Sequence, residues 1–317
     1  MTMNSTSKNT RPLFRRIFAF IIDLIILGTT CTVLGKYLIT YFSGTPFILN
    51  LLGTFICLFY FSIFNSNILD GKTIGKMICS LQVTNLGNQP ITFLRAFSRS
   101  CIFVIPLCFT GYLQSLSQQS LGLSILKALL ISILIINFYL VIFNRKTSQS
   151  LHDIFNNTQV QNPKNYFVAK PPIWKTHYIV SIVLLVTILI NSIWLHSKTD
   201  SVDIEKLGLS RSIQSLSIEN RYLSLGETIS QNNILIFNVD THQELNDRDF
   251  ISQQIMALKS AHPKLFKENK INQIQLNSSY QFGLAKMSKS VIYDLSFNQG
   301  KALISFNGDK SSTKLGF

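Results

Sequence analysis

The residues with the clearest chemical potential are three carboxylates in a long apolar and basic region. Residues 1–196 contain Asp23, Asp70 and Asp153 as their only acids, against fifteen Lys or Arg. Asp23 lies in the apolar stretch 17–39, where little water can solvate a charge, so it must be paired, hydrogen-bonded or protonated. Such a carboxylate can exchange H⁺ for a small cation such as Na⁺, or an arginine can hold it permanently charged. Asp153 is expected at a less constrained interface.

Arginines that could partner Asp23 occur at helical spacing. Arg16 and Asp23 share one helix face, but seven residues rise about 10 Å, too far for a comfortable direct pair. Arg95 and Arg99 share one face of a later helix and are the alternative partners. We favour a structural Asp23–arginine pair, because no second acid within the apolar spans supplies a proton relay. With Asp153, these residues form the predicted ion-binding or polar cluster.

The loop over residues 70–76 reads Asp-Gly-Lys-Thr-Ile-Gly-Lys and superficially resembles a P-loop. That motif would need glycine at position 66, where the chain has serine, and a strand before it, where the chain has an apolar helix. We therefore exclude nucleotide binding and predict a tight interfacial turn leading into a hairpin-like element over residues 81–91. The residues singled out at this surface are Gly71, Lys72, Thr73, Gly75, Lys76 and His152. We interpret His152 as a structural hydrogen-bonding residue in preference to a pH switch.

The elements that must position these residues are five apolar segments, each long enough to cross a bilayer core of ~30 Å. They cover approximately residues 17–39, 47–69, 99–116, 123–143 and 178–195. With the N-terminus in the cytoplasm, 13 of the 15 basic residues before position 197 lie on the cytoplasmic side, as the positive-inside rule requires. Omitting the third span would move the basic cluster of residues 145–175 to the wrong side. We predict a multi-pass protein of the cell (inner or cytoplasmic) membrane, with its C-terminal domain outside the cytoplasm.

Composition supports a membrane protein and argues against other classes. The chain has 317 residues, 47% of them hydrophobic and 14% charged, with a net charge of +14. The basic excess falls almost entirely before residue 197 and flanks apolar runs, so we exclude nucleic-acid binding. The five cysteines show no metal-ligand spacing and predict neither a zinc site nor a disulfide framework. No cofactor is expected.

Four separated motifs together resemble the RDD family of integral membrane proteins over about residues 12–161. They are Arg16-x-x-Ala19-x-x-x-Asp23, the Gly71 to Lys76 loop, Leu81-x-Val83 with Arg95 and Arg99, and His152-Asp153 with Thr158-x-Val160. The arginine and two aspartates that name the family correspond to Arg16, Asp23 and Asp153. The resemblance implies a membrane bundle of largely unknown function, with solute transport or sodium/proton antiport suggested for some members. Lys72 stands where the family often has glutamine or another polar residue.

The C-terminal region has the pattern of a small α+β domain. Residues 233–239, 271–276, 280–285, 291–297 and 302–306 are predicted strands, residues 249–262 a helix, and residues 298–300 a hairpin turn. No nucleophile elbow or metal-ligand spacing occurs there, although Asp240-Thr241-His242 follows a strand. We interpret this domain as an interaction module and the protein as a non-enzyme.

We divide the chain into five parts. These are a cytoplasmic N-terminal segment (1–16), a four-helix membrane domain (17–161), a cytoplasmic linker (162–177), a fifth span (178–195) and an extracytoplasmic α+β domain (197–317). The favoured function is a membrane scaffold or assembly protein that displays a partner-binding domain. The alternative is a cation or solute transporter that uses Asp23. Expected partners are the lipid bilayer, another envelope protein contacting residues 197–317, and a second copy of the chain in a homo-oligomer.

Overall fold

The structure, a computed structural model, describes most of the chain. The described residues are 13–42, 45–117, 120–144, 147, 149–163, 173–198, 209–210, 213–225, 228–239, 244–263, 266, 271–298 and 301–315. Several predictions concern residues outside this set. They are the N-terminal segment up to residue 12, most of the linker (164–172), Asp240-Thr241-His242 and the turn residues 299–300.

Within the described residues, five helices are long and apolar enough to cross a membrane. They are α1 (Leu13–Phe42), α2 (Pro46–Phe64), α4 (Phe93–Leu116), α5 (Leu121–Phe143) and α7 (Lys175–Lys198). The predicted order of five apolar helices followed by an α+β region is therefore confirmed. Helix α2 ends five residues before its predicted limit, because Ser66 is extended and caps a 3₁₀ turn over Asn67–Leu69.

Short elements connect these helices at the loop motif. Helix α3 (Ile74–Ile78) follows Thr73, strand β1 (Gln82–Asn85) follows α3, and helix α6 (Leu151–Phe155) precedes strand β2 (Thr158–Gln161). Strand β1 pairs antiparallel with β2. The prediction that residues 81–91 form a local hairpin is therefore wrong, because β1 pairs with β2 and not with the residues that follow it. A turn does form at Asn85–Gln89. The two strands are four residues each, and the distant pairing supplies backbone hydrogen bonds that a local hairpin would have supplied.

The chain divides into two compact units. Unit 1 contains residues 1–29, 55–107 and 130–188, and it includes the loop motif with β1, α3, α6 and β2. Unit 2 contains residues 30–54, 108–129 and 189–317, and it includes the C-terminal sheet.

The C-terminal sheet has five strands in sequence order. They are β3 (Ile213–Leu225), β4 (Thr228–Val239), β5 (Ile271–Phe282), β6 (Ala285–Asn298) and β7 (Lys301–Leu315). Neighbours are antiparallel except β4 and β5, which are parallel and joined through α8 (Arg248–Ala261), as parallel strands require a long crossover. Ile251, Ile255 and Leu258 of α8 are fully buried in the core against the sheet. Strand β3 is absent from the sequence-based predictions, and the predicted strand 280–285 contains the turn between β5 and β6.

The β5–β6 turn of unit 2 is fully buried. Phe282, Leu284 and Ala285 are 0% exposed. Gly283 adopts φ +54°, and its backbone lies directly against Gly53 of α2. A residue with a side chain could not take this left-handed conformation so close to another backbone without strain. The glycines therefore allow the turn to seat on the helix.

Candidate functional site

Asp23 is held by three neutral donors in unit 1. Its Oδ1 accepts hydrogen bonds from the Tyr60 hydroxyl (2.8 Å) and the Gly75 N–H (2.9 Å), and its Oδ2 accepts one from the Thr73 hydroxyl (2.6 Å). The side chain is 1% exposed. Hydrogen bonds to a charged acceptor compensate the cost of burying it. Asp23 therefore ties α1 to α2 and to the start of α3.

The loop motif is built around this carboxylate. Thr73 caps α3 by accepting from the Lys76 N–H, and it also donates to Asp23. A side chain at Gly75 would overlap the Ala19 carbonyl of α1, since its Cβ would lie only 2.9 Å from that carbonyl carbon. Glycine at position 75 thus lets α3 approach α1 closely enough for its N–H to reach Asp23. Gly71 has φ +67°, which the turn before Thr73 uses.

Arg99 and Asp153 form a buried ion pair. Their Nη2–Oδ1 distance is 2.9 Å, and the two side chains are 6% and 1% exposed. Asp153 also accepts hydrogen bonds from the hydroxyls of Ser150 (2.8 Å) and Thr158 (2.9 Å). The pair joins α4 to α6, and Thr158 links it to β2. The near-complete burial of Asp153 corrects the expectation that it lies at a less constrained interface.

Arg16 approaches the same region from α1. Its guanidinium donates to the Val160 carbonyl of β2. Because α1 also carries Asp23, one helix contacts both the α3 loop and the β2 strand. The short sheet is fastened to the helices further by a core that contains Ala19, Leu81, Val83, Ile91, Ala96 and Val160.

The charged side chains described above lie around one cavity of about 170 Å³ in unit 1. Its charged lining consists of Arg16, Asp23, Lys76, Arg99 and Asp153. Most of the remaining wall is apolar. The Lys76 ammonium donates to the Asn65 amide oxygen at 2.6 Å. His152 also lines the cavity, with Nδ1 donating to the Asn137 amide oxygen at 2.8 Å.

The enclosed environment shifts the ionisation of three groups outside the apolar helices. Burial, reinforced by Arg99, lowers the pKa of Lys76 to about 7. Burial, again reinforced by Arg99, lowers the pKa of His152 to about 3, so its ring is neutral at pH 7. Burial opposes ionisation of Asp153, but Arg99, together with Arg16 and the hydrogen bond from Ser150, outweighs it and holds the pKa of Asp153 well below its usual range. At pH 7 His152 therefore adds no charge to the cavity, and Lys76 is protonated only about half of the time.

Residues 10–157 match the model of the RDD family. This part of the chain is an RDD family domain. No curated protein matches the chain. The match confirms the resemblance drawn from the four motifs. With the five apolar helices, it identifies a membrane protein with transmembrane helices.

The RDD domain brings together most, but not all, of the predicted residues. Arg16, Asp23, Asp153, Arg99, Lys76 and His152 line the cavity. Arg95, a predicted member of the polar cluster, is exposed and does not line the cavity, whereas Arg99 is buried. Arg95 lies in the first turn of α4, one turn before the buried arginine. Lys72 does not line the cavity, and Gly71, Thr73 and Gly75 act through loop conformation and hydrogen bonding.

The expected Asp23–arginine pair does not form within the part of the RDD domain that the structure describes. Asp23 accepts from neutral groups, whereas Arg99 pairs with the other aspartate. Sequence reasoning missed Tyr60 as a donor, since a lone tyrosine in an apolar helix is indistinguishable from a packing aromatic. It also missed Asn65 and Asn137 as specific partners of Lys76 and His152, although both amides were visible as polar residues in apolar segments.

Proposed function

We propose that this chain is a five-span membrane scaffold that displays its C-terminal α+β domain outside the cytoplasm for a protein partner. The apolar helices and the distribution of basic residues support this topology. An odd number of spans carries the chain from a cytoplasmic N-terminus to an exported C-terminus. A partner-binding surface on residues 197–317, and self-association of the bundle, belong to the same proposal.

The observation that carries the scaffold proposal is that structural partners already bind both oxygens of each buried aspartate, Asp23 and Asp153. Asp23 uses both oxygens to hold α2 and the α3 loop, and Asp153 uses both to hold α4 and the segment around α6. An exchange site needs a carboxylate that can release these partners in each cycle. Carboxylates bonded in this way instead fix the helices and loops to one another.

The packing of the β5–β6 turn against the helices further supports the proposal that the membrane helices hold the C-terminal domain. Within unit 2, the turn packs against glycines of three helices, Gly35, Gly53 and Gly111. Small residues let backbones approach closely in membrane bundles. The exported sheet is thereby attached through packed backbone as well as through the chain connection.

Asp23→Asn and Asp23→Ala, with Asp70→Asn as the matched control, test the structural role. Asp70 is exposed in a left-handed turn that asparagine also accommodates. Alanine at position 23 leaves three donors without their acceptor and is expected to destabilise the protein by about 3 kcal/mol or more. Asparagine keeps one acceptor oxygen and is expected to cost about 1–3 kcal/mol. Both are measured by thermal unfolding in nanodiscs.

Transport is the second candidate, because a cavity with charged lining exists in the RDD domain. Everted vesicles with a pH-sensitive dye separate the two. The scaffold proposal expects no Na⁺-linked proton movement from wild-type protein. Flux that disappears in Asp23→Asn, with the variant folded and present at normal levels, would overturn the scaffold proposal in favour of antiport.

A further inference from the structure

The cavity of the RDD domain has an excess of positive charge. Arg16 and Arg99 provide two cationic side chains, and Lys76 provides a third when it is protonated, against the two acidic side chains of Asp23 and Asp153. An anion beside Lys76 would favour its protonated form. Uncompensated charge is costly in a site with an apolar wall, so such a site favours a ligand of the opposite sign. The balance disfavours a bound Na⁺ and favours an anion.

Lys76 is the cation best placed to receive that anion. Its ammonium donates to the neutral Asn65 amide, and no carboxylate lies within 4.0 Å of it among the described residues. Arg99 is already engaged by Asp153. Asp23 accepts hydrogen bonds from three other donors and forms no ion pair with Lys76. A singly charged headgroup at Lys76 would balance the cavity.

The remaining wall indicates that the ligand also has an apolar part. Phe20 and Phe103 line the interior. Ile17 of α1, together with Phe138 and Ile142 of α5, lines the cavity and is also 40–44% exposed on the outer surface of the helices. These rim residues connect a charged interior to the surface that faces hydrocarbon in a membrane protein. An alkyl chain can leave the cavity between α1 and α5 without entering water.

We propose that the RDD domain binds an anionic amphiphile, with its phosphate or carboxylate headgroup at Lys76 and Arg16 and its alkyl chain between α1 and α5. The source is a membrane lipid with a negatively charged headgroup. Each headgroup oxygen would accept a charge-assisted hydrogen bond, stronger than one between neutral groups. This proposal does not rest on the scaffold function, since a scaffold or a transporter could bind such a lipid.

The test uses the full chain in phosphatidylcholine nanodiscs and measures equilibrium binding of radiolabelled dodecyl phosphate. Saturable binding of one molecule per chain is expected. Lys76→Gln is expected to weaken binding about 10- to 100-fold, because it removes a charge-assisted contact. Arg95→Gln, which removes an exposed charge outside the cavity, is the matched control and should bind as wild type does.

Three results would overturn the proposal: no saturable binding to wild type, equal binding to Lys76→Gln, or equal competition by inorganic phosphate and unlabelled dodecyl phosphate. The last would identify a site for free anions. Dodecyl maltoside should not compete, since it has the chain without the charge. Ile17→Trp obstructs the exposed rim without altering a buried charge, and should weaken dodecyl phosphate binding at least tenfold. If Lys76→Gln unfolds, the Ile17→Trp variant still tests the proposal, because unchanged dodecyl phosphate binding to it would contradict the proposed alkyl path.

Discussion

Gly53→Ala is expected to displace the β5–β6 turn from α2. A methyl group at position 53 would lie 2.5 Å from the Phe282 carbonyl carbon and 2.9 Å from Gly283 Cα, with the Gly283 nitrogen closer still. Carbon atoms in contact prefer about 3.5–4.0 Å, so the turn must retreat by roughly 1 Å. The obstructing atoms are backbone, and a rotamer change cannot relieve the overlap.

The cost follows from what the turn buries. Overpacking against rigid backbone costs about 1–3 kcal/mol, and partial exposure of Phe282 and Leu284 adds to it, because each full burial is worth about 1.5–3 kcal/mol. Replacing glycine inside a helix returns up to about 1 kcal/mol. We expect a net destabilisation of about 2 kcal/mol, and we expect the loss of packing to be confined to the contact between the β5–β6 turn and α2.

A local assay uses Cys31, which is fully buried, with its Sγ only 3.2 Å from the position that a Cβ on Gly283 would occupy. With the other four cysteines replaced by serine, a maleimide should leave Cys31 unmodified in the parent and modify it in Gly53→Ala. Gly122→Ala is the matched control, since the nearest atom to its new methyl group is 3.8 Å away. The reasoning is refuted if Gly53→Ala keeps Cys31 protected and melts at the same temperature as Gly122→Ala.

Two further outcomes concern the buried polar groups. Arg99→Gln should destabilise the protein by about 3–5 kcal/mol in chemical unfolding, because it leaves Asp153 buried without its cation, whereas the exposed Arg95→Gln should change stability by less than about 0.5 kcal/mol. His152 has a folded pKa near 3 against 6.5 when unfolded, so the unfolded state binds the extra proton between these values. Stability should therefore fall on acidification from pH 6.5 to 3, by at most about 1.4 kcal/mol per pH unit. His152→Asn should flatten this dependence and the exposed His262→Asn should not, and equal slopes for the two variants would contradict the assignment.

Hydropathy and the distribution of basic residues together sufficed to predict the five helices. Runs of about 20 apolar residues match the thickness of a bilayer core, and the third, weaker segment is supported by the basic residues at 145–175, which it keeps on the cytoplasmic side. The strand partners could not be predicted in the same way. Strand β1 pairs with a segment more than seventy residues later, and short strands carry no signal that selects a distant partner over a local one. The β5–β6 turn lies inside a predicted strand, because a glycine at positive φ leaves no trace in an apolar run beyond the glycine itself.

The sequence was sufficient to predict which charged residues belong to the candidate site, but not which partners they bind. Asp23 stood out because an acid in an apolar segment has to be satisfied, but the sequence does not say by what. Three neutral donors satisfy it, and two of them come from a loop fixed by the close approach of Gly75 to α1. That approach is a tertiary contact. Arg95 and Arg99 look equivalent by spacing, yet only Arg99 is buried, because burial changes within one turn of a helix end.

The two kinds of charge in the RDD domain carry different consequences for experiment. The aspartates hold loops and helices together, so their replacement acts on folding before it can act on any ligand. Lys76 donates to an amide and can be neutralised with less structural damage. A loss of activity in an Asp23 variant is therefore evidence for ion exchange only when the folded fraction is measured beside it. Loss of binding in a folded Lys76 variant reports on the cavity itself, and that makes the lysine the more informative residue to change first.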